Sequence, residues 1–222
     1  MSARAIAGEA LGTAMLLVIV VGSGIMAETL CDGNVGLALL ANSLATGAGL
    51  VVLVLVFGPV SGAHFNPIVS GLEATRSGRW SEASARMAAQ LVGAVLGVAI
   101  AHAMFDHAWI AISARDRSGV GHALGELVAT FGLVGVVTAL PRRRPEATAL
   151  AVGAYITSAY WFTSSTSFAN PAVTLARTLT DTFTGIRPAD APTFIAAQIA
   201  GALLGGAVFG WLVPVVEPEK AS

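Results

Sequence analysis

The sequence predicts an all-α membrane protein. Three observations carry that class: the composition, the length of the apolar runs, and a repeat of the whole pattern in the second half of the chain. Of 222 residues, 55% are apolar and 11% charged, and the mean hydropathy is +0.76. A water-soluble domain carries about 25% charged residues. With so little charge, most of the surface cannot face water. The net charge of −1 excludes a nucleic-acid partner, which would need a basic face. Cys31 is the single cysteine, so no intrachain disulfide is expected. No cofactor motif, nucleophile–base pair or metal-ligand cluster stands out, which argues against an enzyme and predicts no cofactor and no metal.

About 20 apolar residues are needed to cross a hydrocarbon core of about 30 Å. Six stretches qualify, at 5–26, 36–58, 82–105, 121–140, 147–163 and 191–213. The fifth is the shortest. The first carries Glu9 and is followed by further spans, so a retained helix is expected rather than a cleaved leader. Two more apolar stretches, 66–76 and 170–179, are too short to span. Each opens on Asn-Pro, and proline suits the first turn of a helix, where its missing N–H is not needed. These are expected to be half-helices that start inside the membrane. Irregular backbone is tolerated there only against protein or a water-filled cavity.

Basic residues set the orientation. With both termini inside, the inner side holds Arg4, Arg76, Arg79, Arg86, Arg142, Arg143, Arg144 and Lys220. The outer side holds Arg115, Arg117, Arg177 and Arg187. The Arg142–Arg144 run is the strongest single vote. The expected location is the inner (plasma) membrane, with both termini cytoplasmic and the lipid bilayer as a partner.

The pattern occurs twice. GEALGT at 8–13 is matched by GELVAT at 125–130, and AAQLVGAVLG at 88–97 by AAQIAGALLG at 196–205. Asn66-Pro67-Ile68 is matched by Asn170-Pro171-Ala172. Each half, 1–113 and 114–222 of a single transmembrane domain, contains three spans. An odd number turns the second half upside down, and such inverted repeats put the functional site where the halves meet.

SGAHFNP at 61–67 and NPA at 170–172, each after a Glu-bearing span, resemble the paired signature motifs of the aquaporin, or major intrinsic protein, family. The resemblance covers nearly the whole chain. It implies six transmembrane helices, two half-helices and a homotetramer. The physics of the motif stands beside it. Each half-helix aims unpaired N–H groups and a partial positive charge at the centre. Asn66 and Asn170 add amide donors, which suits a neutral solute and disfavours a proton or cation. Glu9 and Glu126 lie in apolar spans and need a partner by default. The family pattern implies that they accept backbone N–H groups of the half-loops, with Gln90 and Gln198 serving the same loops. His64 is expected beside the pore as loop support. Glycines near 93–97 and 201–205 let spans approach closely. A metal site can be drawn at His102, Asp106 and His107, but three ligands at a solvated helix end make a weak pattern.

The resemblance also implies four positions at the narrowest ring. By motif spacing they fall on Thr46, Ser158, Ser167 and Val173. Water-selective and glycerol-type relatives keep aromatics and an arginine there, and this assignment contains neither. It describes a wide ring of three hydroxyls and one branched apolar side chain. Arg177, one turn beyond Val173, is expected to snorkel to the interface; the alternative is that it keeps a positive potential in the outer vestibule. The cargo implied is a compact neutral polyhydroxy solute: water, glycerol-like polyols, and neutral metalloid acids such as arsenous acid. ANPAVTLAR also resembles the motif of bacterial relatives associated with arsenic resistance. The alternatives are a mainly water-conducting aquaporin and, in another class, a coupled secondary transporter.

Overall fold

The structure, a computed structural model, describes residues 1–213. Its elements in chain order are α1 (Ala3–Leu30), α2 (Val35–Ser61), α3 (Pro67–Ser77), α4 (Trp80–Met104), α5 (Val120–Arg143), α6 (Thr148–Phe162), α7 (Pro171–Ala176) and α8 (Ala191–Leu212). Single 3₁₀ turns lie at Pro145–Ala147 and Arg177–Leu179. Among the described residues, five helices are long and apolar enough to cross a bilayer. The fifth predicted stretch forms α6, with 15 residues, about 22 Å of helix. A 3₁₀ turn precedes it, and a bend and turn at 163–165 follow it. Large apolar side chains such as Leu55, Leu203 and Trp211 stay exposed on the perimeter, as a lipid-facing surface requires.

Capping fixes where the helices begin. Ser2 accepts from the Ala5 amide and Asn34 from the Leu37 amide. Asn66 and Asn170 cap the half-helices, accepting from Ile68 and from Ala172 and Val173 respectively. A side-chain cap of this kind is worth about 1 kcal/mol. Each caps a helix with proline in its first turn.

Helix pairing follows the glycines. α1 packs on α4 and α5 on α8. A Cβ on Gly93 would collide with the Ala10 carbonyl, and one on Gly97 with that of Ala14. Gly201 and Gly205 meet the carbonyls of Leu127 and Phe131 in the same way. Backbone therefore lies directly on backbone along both seams. α3 and α7 enter the bundle from opposite faces and touch at its centre. The Arg142 guanidinium donates to the Val213 carbonyl at 2.7 Å. That contact puts the last described residue on the face where α5 ends. Lys220 lies outside the described residues.

Candidate functional site: a cavity between two half-helices

The loops before the two half-helices fold alike because they meet alike demands. Ala63 and Ser167 both have φ of 50°, and Phe65 and Ala169 both have φ of 48°. A non-glycine residue in this left-handed region costs about 1–2 kcal/mol. A buried carboxylate holds each loop there. Glu9 accepts from the His64 amide (3.0 Å), the Phe65 amide (2.8 Å), the Ser61 hydroxyl (2.7 Å) and Gln90 Nε2 (2.7 Å). Glu126 accepts from the Phe168 amide (2.8 Å), the Ala169 amide (2.9 Å) and Gln198 Nε2 (2.6 Å). Each glutamine donates again one turn into the half-helix, Gln90 to Ser70 and Gln198 to Thr174. All four long polar side chains are fully buried.

Asn66 and Asn170 meet at the centre. Asn66 Nδ2 donates to the Ala169 carbonyl at 2.7 Å, and Asn170 Nδ2 to the Phe65 carbonyl at 2.8 Å. An amide NH₂ has two protons, so each asparagine keeps one for the space beside it. That space is a cavity of about 400 Å³. It runs from Glu73, Arg76 and Thr148 at one end, past both asparagines, to Tyr160, Ser167 and Arg177 at the other. Leu16, Val20, Leu50, Leu133, Val137 and Val152 make apolar walls between these polar points. Pro67, Pro171 and Ala172 are not on the cavity wall, and Ala172 is fully buried. Ile68 is buried as well.

The two ends differ in chemistry. At the Glu73 end, Glu73 Oε2 pairs with His64 Nε2 at 2.8 Å and with Arg86 Nη1 at 2.7 Å. Arg79 pairs with its other oxygen, and His64 Nδ1 lies 3.0 Å from the Ser70 hydroxyl. At the opposite end Thr46 and Tyr160 share a hydrogen bond of 3.2 Å. Thr46, Ser167 and Val173 all line the cavity. The buried Ser167 hydroxyl has no protein partner among the described residues.

Two expectations need correction here. Ser158 is exposed on the outside of α6, with its hydroxyl on the Tyr155 carbonyl at 2.7 Å. It does not line the cavity, and α6 contributes Ile156 and Tyr160 in its place. Arg177 does not snorkel. It is 2% exposed and lines the cavity, its Nε donating to the Thr184 carbonyl and its guanidinium 3.3 Å from the Phe168 ring centroid. This end therefore holds a phenol, a phenyl ring and a guanidinium that the motif spacing misses. The signal for Arg177 was present: residues i and i+4 share a helix face, so it had to stand over Val173. Arg117, from the loop after α4, reaches the same ring, 5.0 Å from its centroid. Burial, and then Arg115, push its guanidinium down to about 10, so it stays charged at neutral pH.

The remaining candidates have structural partners. His102 is buried, with its ring nitrogens on the Ala108 carbonyl (2.6 Å) and the Thr180 hydroxyl (2.8 Å). Both are thereby occupied, and no cluster of three metal ligands occurs among the described residues. On the same helix as Tyr160, Tyr155 donates to the Ala129 carbonyl and Trp161 to the Ser43 hydroxyl.

A polytopic helix bundle with a polar-ended cavity through its middle, centred on two broken helices, defines a membrane channel. Sequence and structure comparisons agree with that class. The family described as Major intrinsic protein matches residues 1–156 and again 142–221, and the chain belongs to it; members of that family are channels and not enzymes. Aquaglyceroporin AqpS of Rhizobium meliloti (strain 1021) is 51% identical over 217 residues, covering 97% of this chain and 92% of its own. Aquaporin NIP2-3 of Zea mays is 27% identical over 217 residues, covering 94% of this chain and 69% of its own. The X-ray structure of the aquaglyceroporin from Plasmodium falciparum superposes with a TM-score of 0.71, covering 94% of each chain at 23% identity. At that identity it shows the fold alone.

Proposed function

We propose that this chain is a passive channel for water and small uncharged polyhydroxy solutes, including glycerol-like polyols and neutral metalloid acids such as arsenous acid. The cavity running past Asn66 and Asn170 carries this reading. Its walls are apolar, its few polar groups lie at the ends and the centre, and the central donors suit a solute's oxygen atoms. The 51% identical relative named an aquaglyceroporin supports the polyol part. The metalloid part rests on the neutral polyhydroxy chemistry of those acids and on the ANPAVTLAR resemblance. Val173 and Thr46 are proposed to set the width of the ring, with Ser167 offering a free hydroxyl. Residues 1–113 and 114–222 act as two inverted halves of one pore. The channel is proposed to work as a homotetramer in the plasma membrane, with both termini cytoplasmic. The Arg142–Arg144 run on the face of the described chain ends supports that orientation.

The test is uptake into proteoliposomes across a panel of water, glycerol, larger polyols, urea and arsenous acid. Uptake of glycerol-sized solutes above empty vesicles, with no trans-stimulation in counterflow, is expected. Trans-stimulation would instead identify a coupled carrier. One observation favours the mainly water-conducting alternative: Tyr160 and Arg177 add bulk to the Ser167 end of the cavity. Swelling in water with no glycerol or metalloid uptake would decide for it.

A further inference from the structure

Arg177 is the largest fully buried side chain among the described residues. A cation at that depth ordinarily has a carboxylate beside it. Here none of the ion pairs among the described residues includes Arg177. The buried Glu126 carboxylate is engaged by the Phe168 and Ala169 amides and by Gln198, and Asp190 and Asp116 pair with Arg187. The guanidinium is held from two sides, by the Thr184 carbonyl at Nε and by the Phe168 face. This cradle fixes the group without neutralising it. The half-helix stops at Ala176 and tightens into a 3₁₀ turn at Arg177–Leu179. Val173 lies one turn nearer the asparagines, about 6 Å along the axis, and lines the same cavity.

We infer that this channel sorts solutes in two consecutive steps on one half-helix, charge at Arg177 and size at Val173. The inference rests on the channel reading and goes beyond it. Where one ring carries both properties, the side chain that supplies the charge also sets the width. With the guanidinium one turn further out, over the Phe168 ring, the width at the Val173 level is set by other side chains while the field remains. An uncompensated charge in a low-dielectric passage acts over several ångströms, so a cation is turned back before it reaches Val173. A bulky neutral solute passes the Arg177 level and meets its steric limit at Val173, between Thr46 and Ser167.

The two steps are separable by experiment in proteoliposomes. Arg177→Met and Arg177→Gln are measured for potassium conductance beside neutral-solute uptake; the glutamine keeps a donor for the Thr184 carbonyl if the methionine variant fails to fold. Both are expected to raise cation conductance by about tenfold or more over wild type, while Arg177→Lys is expected to stay tight, as a retained charge in this cavity requires. Val173→Phe is expected to cut glycerol-sized flux about tenfold, the effect of a modest steric barrier, with no cation leak. Ser158→Ala, outside the cavity, is the control and is expected to match wild type. If the folded Arg177→Gln variant remains as cation-tight as wild type, or if Val173→Phe leaks cations, the division of labour is wrong. A wild-type protein that passes no neutral solute would instead overturn the channel reading itself.

Discussion

Asn66 and Asn170 are tied to each other's loops: each side-chain amide donates to the carbonyl of the residue immediately preceding the other, Ala169 and Phe65 respectively. The centre of the protein is thus a closed ring of hydrogen bonds that neither half can form alone. Each asparagine also accepts from the first turn of its own half-helix. The side chain serves as cap, brace and donor to the cavity at once.

Asn170→Asp removes the donor of that ring and sets a carboxylate against the Phe65 carbonyl. Its accepting bonds from Ala172 and Val173 can persist, so the half-helix stays capped. The expected outcome is a sharp fall in neutral-solute flux or the appearance of cation conductance. Swelling and conductance measured on the same vesicles check it; wild-type values in both would remove Asn170 from the solute path.

Glu9→Ala strips the acceptor from two backbone amides, a hydroxyl and a glutamine amide. An unsatisfied buried group costs about 1–3 kcal/mol, and the loop it holds is strained at Ala63 and Phe65. We expect a lower melting temperature and lower folded yield, with selectivity unchanged in the molecules that fold. A variant that melts like wild type but no longer discriminates solutes would make Glu9 part of the pathway.

Val173→Arg places a second guanidinium one turn from Arg177. At about 6 Å and an effective dielectric of about 20, two like charges repel by about 3 kcal/mol. The packed interior yields little to the added volume. Glycerol-sized and metalloid flux is expected to fall at least about tenfold more than water flux, since a barrier of about 1.4 kcal/mol already gives a factor of ten. An unchanged solute-to-water ratio in the folded variant would mean that Val173 is not at the constriction.

Tyr160→Leu and Ser158→Leu form a matched pair on α6. Tyr160 is buried, bonded to Thr46 and on the cavity wall, so shortening it is expected to raise the ratio of larger-solute to water permeability. Ser158 is exposed, and exposed substitutions usually stay within about 0.5 kcal/mol. Its variant is expected to keep wild-type stability and ratio.

The contrast within that pair shows what could be read in advance. The half-helices, their Asn-Pro starts, the Glu9 and Glu126 clamps and the glycine seams are each written in short contiguous motifs that occur twice. Their geometry depends only on local spacing and on the need to satisfy buried polar groups. The ring facing Val173 depends on how α6 hands over to the 163–170 loop, where Thr166, Ser167 and Ala169 all adopt positive φ. Such a path has no periodicity, so counting back from Asn170 lands on Ser158 and misses Tyr160. Arg177 was hidden for another reason. Its height above Val173 follows from the helix, but its burial is decided by Phe168 and by the Thr184 carbonyl, which arrives from a separate loop.

The glycine seams have a consequence for heat. Where Gly93 and Gly97 lie on the α1 carbonyls, and Gly201 and Gly205 on those of α5, the nearest contact in each case is a backbone oxygen, which has no rotamer to exchange. A carrier must break and remake such contacts at every cycle, and its rate climbs steeply on warming. Walls joined backbone to backbone do not take part in each crossing. The warming dependence of flux through this protein is therefore expected to be shallow, set by a solute shedding and regaining its hydration at the two mouths.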